Sequence, residues 1–272
     1  MLSMKSQSFE MKPVKPVNPV APWQGGKRVL AKRLVKQIGA IPHTRYVEPF
    51  VGMGGVFFRR DSRPRVEVIN DISADVANLF RLLQRHYQQL LDTLKWQIHS
   101  RADFERLVKV DPDTLTDLER AARFLYLQRA GFGGKVSGRS FGVDYSGGAR
   151  FDLTKLVPML EDVHERLSSV TIERLPFDQC IAKYDRKDGQ SLFYIDPPYW
   201  DCEDDYGKNL FSPDDFTVLR DRLTALNGRF VMSINDVTEI RELFADFVIE
   251  PVDVTYGIGG GSKQFRELII SN

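Results

Sequence analysis

Cysteine and histidine are scarce in this chain of 272 residues: two cysteines and four histidines. Cys180 and Cys202 lack metal-ligand spacing, which excludes a multi-bridge disulfide framework and gives no zinc signal. The histidines are scattered, so no metal is expected, and a reduced, cytoplasmic protein is the simplest expectation. No apolar run is long enough to span a bilayer, and Met1 to Pro22 has no apolar centre of signal-peptide type. Net charge is only +1, so the whole-chain field points to no polyanion, and a basic face must be argued from local positions. What remains is ordinary globular composition, 42% hydrophobic and 28% charged. The length suits one large domain or one domain carrying an insertion.

Residues 1–22 hold Lys12-Pro13, Lys15-Pro16 and Asn18-Pro19, and read as an extended, poorly ordered, flexible tail. Beyond it, short apolar runs alternate with helical patterns, which predicts an α/β fold with a largely parallel sheet. The expected strands are Arg45 to Phe50, Arg65 to Asp71, Ser169 to Leu175, Ser191 to Asp196, Arg229 to Ile234, Phe247 to Thr255 and Glu267 to Ser271. Several are apolar almost throughout, as strands covered on both faces should be. Ser212-Pro213-Asp214-Asp215 marks a capped helix start, and Asp236 with Glu239 marks another. Gly25-Gly26 is expected to precede a helix carrying Lys27, Arg28, Lys32, Arg33 and Lys36. The stretch 74–167 breaks the rhythm and reads as a helical insertion between 23–73 and 168–272. It contains Gly131-Phe132-Gly133-Gly134-Lys135-Val136-Ser137-Gly138-Arg139, a loop rich in glycine and cations.

Three groups of residues carry chemistry. In Val47-Glu48-Pro49-Phe50-Val51-Gly52-Met53-Gly54-Gly55, glycines at a strand-to-helix turn let backbone approach a ligand. Asp71 ends the next strand, roughly 20 residues on, where an acid can hydrogen-bond ribose hydroxyls. Together they suggest an adenosine-containing cofactor; a tight turn plus a helix-capping Asp is the plainer alternative. In Leu192-Phe193-Tyr194-Ile195-Asp196-Pro197-Pro198-Tyr199, an apolar strand ends in an acid, two prolines and an aromatic. Proline lacks an N–H and has a fixed φ, so the turn is rigid and its carbonyls remain free to accept. A carboxylate, a fixed carbonyl and an aromatic face form a receptor for an NH2 group on a flat ring. A proline-stopped strand with a solvated Asp196 is the alternative. The third group is Pro22-Trp23-Gln24-Gly25-Gly26-Lys27, which taken alone reads as a buried tryptophan and a turn.

Taken in order, these segments resemble the D12 class of DNA adenine-N6 methyltransferases, the Dam-like family. Its W-x-G-G-K, F-x-G-x-G and D-P-P-Y segments are matched by Trp23 with Lys27, by Phe50 with Gly52 and Gly54, and by Asp196 to Tyr199. Asn70-Asp71-Ile72 matches the acidic cofactor position, and Phe124 to Phe132 resembles F-L-Y-L-N-R-x-G-Y with Gln128 in place of Asn. Phe230 to Asn235 and Gly259 to Leu268 also look familiar.

The resemblance implies a Rossmann-like S-adenosylmethionine-dependent methyltransferase sheet with a helical target-recognition insertion. It implies methyl transfer from S-adenosyl-L-methionine to adenine N6 in double-stranded DNA, with base flipping. Trp23, Lys27, Phe50, Gly52, Gly54, Asp71, Asp178 and Asp196 are the implied cofactor residues, although a helix start explains Asp178 equally well. Asp196, Pro197, Pro198 and Tyr199 are the implied catalytic residues. DNA contacts are expected from Arg129, Lys135, Arg139 and Lys263, with Arg123, Arg150 and Arg266 as further candidates; for Arg123 and Arg129 a solvated helix face is the alternative. Pro22 stands where GATC-methylating relatives usually carry a lysine, which leaves the target sequence open. Cytosine-N4 methylation, methylation of RNA or of a protein glutamine, and a silent DNA-binding module are the rival readings. Monomer and homodimer remain open.

Overall fold

A computed structural model describes residues 10–143, 147–203, 210–258 and 261–272, the side chains of 256–258 and 261–263 excepted. The strands are β1 (Lys12–Pro13), β2 (Arg45–Glu48), β3 (Ser62–Arg63), β4 (Val66–Asn70), β5 (Thr171–Glu173), β6 (Ser191–Ile195), β7 (Arg229–Asn235), β8 (Val248–Ile258) and β9 (Gly261–Ser271). The helices are α1 (Ala31–Ala40), α2 (Ala74–Arg85), α3 (Tyr87–Leu94), α4 (Arg101–Val108), α5 (Asp117–Ala130), α6 (Leu153–Leu167), α7 (Phe177–Tyr184), α8 (Pro213–Thr224) and α9 (Thr238–Leu243). None of these helices is long and apolar enough to cross a membrane.

Seven strands form one sheet in the order β5-β4-β2-β6-β7-β9-β8. β5, β4, β2, β6 and β7 run parallel, while β9 is antiparallel to both β7 and β8. Val47 of β2 lies opposite Val68 of β4 on one side and Phe193 of β6 on the other. All five residues of β6 are buried, because helices cover both faces. Alternate residues feed two cores: Tyr46, Leu192 and Tyr194 join one, and Val47, Phe193 and Ile195 the other. From β2 the chain crosses to β4 on one flank, and the sheet resumes at β6 on the other. The carboxyl ends of β2 and β6 thus form the switch point where α/β sheets open a crevice.

Local chemistry explains most boundaries. A capping box of Ser212 with Asp215, and Pro213 in the first turn, starts α8 as expected. A second capping box, Thr116 with Glu119, starts α5. Asp236 does not cap α9; it grips Arg241 through bonds of 2.5 and 2.8 Å instead, and Val237 takes the cap position. α1 begins at Ala31, so Lys27 and Arg28 lie in the preceding turn rather than on the helix.

The expected flexible tail is corrected over its described part. Val17, Val20 and Ala21 are buried, and β1 pairs with β3. Val14, Val17 and Val20 share one face, since an extended proline-rich backbone repeats every three residues. The backbone N–H groups of Val14 and Val17 donate to Asp61 and Phe58 at 2.9 and 2.8 Å. Residues 74–167 carry α2 to α6, and no strand among the described ones. Beneath the sheet, Glu67 accepts from Arg60 at 2.8 Å and from both ends of the Arg166 guanidinium at 2.7 Å, a buried charge cluster with its partners in place.

Candidate active site

β2 delivers the chain to Pro49-Phe50-Val51-Gly52 at the sheet's carboxyl edge. Gly52 has φ +50, and a Cβ there would come within 2.5 Å of the Trp23 indole nitrogen. Only glycine accepts both the left-handed backbone and this contact. The Gly52 N–H donates to Asp71 Oδ2 at 2.9 Å, and the Ser73 N–H donates to Oδ1 at 2.9 Å. Burial pushes the Asp71 carboxyl up to about 6, against the pull of these two bonds. The preceding Asn70 ties the strand ends together: its amide donates to Pro49 O at 2.8 Å and Leu175 O at 3.0 Å.

β6 ends one residue before Asp196, and Pro197 and Pro198 are buried behind it. Asp196 Oδ1 accepts from Lys27 Nζ at 2.7 Å and from Ser233 Oγ on β7 at 3.2 Å. Ser233 has one proton to give, so the Tyr194 hydroxyl donates to it at 2.7 Å. Burial pushes Asp196 up to about 6, while Lys27 pulls it down. Lys27 also donates to Gly25 O at 2.8 Å and stands 4.7 Å from the centroid of the Tyr199 ring. Asn235 at the end of β7 clamps the far side of the turn, bonding the Trp200 N–H at 3.0 Å and its carbonyl at 3.2 Å.

Both edges open into one cavity of about 510 Å³. Trp23, Lys27, Phe50, Gly52, Asp71, Asp196 and Pro198 line it. Gly54, with φ +70, packs on Phe58 behind the lining, and Tyr199 meets the site through Lys27. Asp178 is not among the lining residues; it starts α7 and faces Arg222 at 3.8 Å.

Two lining residues are ionisable groups that the sequence left unassigned or placed elsewhere. Glu48 is 1% exposed, accepts from the Tyr46 hydroxyl at 2.7 Å, and is pushed by burial up to about 8. It therefore holds its proton at neutral pH. Its position as the last residue of a buried strand was the available signal. Arg129, expected on DNA or on a solvated helix face, turns inward and lines the cavity, and its Nε has no hydrogen-bond partner among the described residues.

The other cations sort by burial. Arg139 braces its loop: its guanidinium donates to Gln128 Oε1 at 2.9 Å and to Lys135 O at 3.2 Å, and burial lowers it to about 10. Gln128, fully buried, donates in turn to Pro22 O at 3.2 Å and Gly134 O at 3.0 Å. Arg123 is buried and donates to Leu107 O at 2.8 Å, closing the end of α4. Arg150 donates to Gly131 O at 3.1 Å, and Arg266 pairs with Asp253 at 3.3 Å. Lys135 is exposed, whereas the Lys263 side chain lies outside the described residues.

A half-buried acid–proline–proline–tyrosine turn thus stands beside a glycine-lined, acid-edged crevice at the carboxyl edge of the sheet. Comparison with known proteins narrows this. The model of the D12 class N6 adenine-specific DNA methyltransferases matches residues 23–258. The chain is 29% identical to the type II methyltransferase M1.LlaDCHI of Lactococcus lactis subsp. cremoris, over 94% of this chain and 95% of that one. It is 26% identical to the Retron Ec67 DNA adenine methylase of Escherichia coli, over 91% of this chain and 88% of that one. It is also 26% identical to a DNA adenine methylase of Vibrio cholerae, over 91% and 93%. The chain belongs to the D12 class of N6 adenine-specific DNA methyltransferases. It is an enzyme that methylates adenine in DNA, on the α/β fold of that class; the cytosine, RNA, glutamine and silent-module readings are not favoured.

Proposed function

We propose that the methyl donor is S-adenosylmethionine and that the acceptor is an adenine flipped out of double-stranded DNA into the cavity beside Asp196. The observation that carries this reading is the joining of Asp71, Phe50 and Asp196 in one cavity of about 510 Å³. The donor fits that lining: Asp71 offers oxygens near the glycine turn, Phe50 an apolar face, and Glu48 a buried carboxyl able to take up charge. When bound, this donor supplies an electrophilic methyl on a sulfonium.

The chain's residues do the rest. The adenine amino nitrogen is a poor nucleophile because its lone pair is delocalised. Asp196 and the carbonyl of Pro197 accept its two N–H bonds, which draws the lone pair out of the ring plane. As nitrogen bonds to the methyl carbon and that carbon parts from sulfur, positive charge grows on nitrogen; the fixed carboxylate stabilises it by about 2–4 kcal/mol on the scale of preorganised sites, and the surplus N–H proton leaves afterwards. Tyr199 stacks on the extruded base, contributing roughly 1–3 kcal/mol. A stacked base is out of reach, so flipping is part of the reading.

The helical segment 74–167 supplies target recognition through its glycine-rich loop, with Lys135 on phosphate and Lys263 adding a contact from the last hairpin. A cytoplasmic location is part of the same proposal. Labelled donor supplied with duplex DNA tests the reading. Label should appear on adenine N6, and Asp196→Ala should bind donor and DNA yet lose turnover. Retained turnover in that variant overturns it.

A further inference from the structure

The Lys27 side chain is 2% exposed, an unusual place for an ammonium. Its main chain is fixed: the Gly26 N–H donates to Trp23 O at 3.0 Å and the Ala31 N–H donates to Lys27 O at 2.6 Å. Besides its bond to Gly25 O at 2.8 Å, the ammonium faces two side chains, Asp196 Oδ1 at 2.7 Å and the Tyr199 ring at 4.7 Å. These are the two groups that, on the reading above, grip the target: the carboxylate takes an N–H and the ring lies against the base. An ammonium is a tetrahedral, cationic nitrogen carrying N–H donors, the form the amino group of adenine approaches as it is methylated.

We propose that the Lys27 ammonium is a stand-in for the target amino group, holding Asp196 and Tyr199 until an adenine arrives, and that target entry displaces it. The inference rests on Asp196 and Tyr199 being the target-base groups. Several consequences follow from the geometry. A buried carboxylate without a partner takes up a proton, and a protonated Asp196 could not stabilise charge on the amino nitrogen; Lys27 keeps it ionised in the waiting enzyme. A base lacking an amino group at that edge offers nothing in exchange for the ion pair, so it leaves Lys27 in place. Selection of the amino-bearing base thus begins before the methyl moves.

The full-length protein, labelled at lysine Cε with carbon-13, tests displacement directly. The Lys27 signal is assigned by its loss in Lys27→Arg. It should lose the Tyr199 ring-current shift when an unmethylated duplex that the enzyme methylates binds. It should keep that shift with a duplex carrying purine, which lacks the 6-amino group, in place of the target adenine. A signal that stays shifted with the adenine duplex bound overturns the proposal.

The pH profile supplies a second readout. Lys27→Arg should leave the acid limb of kcat/KM where it is. Lys27→Met should move it up by about one unit, so that its kcat/KM at pH 6.5 falls roughly threefold further below its own high-pH value than that of the wild type, and roughly tenfold further at pH 5. An unmoved limb in a folded Lys27→Met protein also overturns the proposal. Failure of the underlying reading looks different: Asp196→Asn then retains methyl transfer, whatever Lys27 does.

Discussion

Replacing Glu48 by glutamine removes a buried acid and keeps its shape. Burial raises this carboxyl to about 8 in the folded chain, against about 4.3 for an unfolded glutamate. Between those values the folded protein holds a proton that the unfolded chain has released, so stability falls as pH rises. The slope is about 1.4 kcal/mol per pH unit, or about 3 kcal/mol from pH 5 to pH 7.5. Below the lower value both states are protonated, and above the higher one neither is, so the dependence flattens at both ends. Glu48→Gln lacks this term, and the Tyr46 hydroxyl, now 2.7 Å from the carboxyl, can rotate to serve the amide. Urea unfolding of both proteins at pH 5, 6.5 and 7.5 reads the difference. The variant should gain on the wild type by about 3 kcal/mol across that range. Asp71 titrates alike in both proteins and cancels, whereas the charge of Asp196 is one of the causes that raise Glu48. A difference that stays constant with pH would show that Glu48 ionises normally, and the raised acidity of this buried carboxyl would have to be abandoned.

Other consequences are quicker to check. Asp196 must be ionised to accept the amino group and sits at about 6, so kcat/KM should fall tenfold per unit below that pH; a profile flat to pH 5 contradicts the assignment. Gly52→Ala forces a side chain into a left-handed backbone against the Trp23 indole; a loss of about 1–3 kcal/mol in thermal or urea stability is expected, with weakened donor binding by calorimetry. Lys135→Ala should weaken DNA binding alike across sequences and lower the slope of log K against log salt by about 0.9, with donor binding unchanged.

The parallel sheet was legible because its strands are buried on both faces and therefore read as near-continuous apolar runs, β6 most clearly. The turn after it was legible for a related reason: two prolines in sequence admit few backbone paths. Asp71 could be placed because strand length fixes its distance from the glycine turn. The amino-terminal segment was misread because a repeat of three, visible in Val14, Val17 and Val20, is neither the helical nor the strand period, and prolines mask it. The inward contacts of Arg129 and Arg139 were not legible for a different reason. Sequence gives the sign of a charge and its neighbours along the chain, whereas the partners that draw both guanidinium groups inward, Val20 and Gln128, come from other turns and segments. Glu48 carries no local mark of burial beyond its strand, so its raised acidity emerges only from three-dimensional packing.

The strap from Lys12 to Pro22 joins the hydrophobic interior to the rim of the reaction chamber, where Asn18, Pro19, Ala21 and Pro22 form part of the wall. The same strap carries the carbonyl to which Gln128 ties the glycine-rich loop. Trimming or splicing into these residues is therefore not a peripheral edit: it would loosen the foundation, reshape the doorway and slacken that loop in one cut.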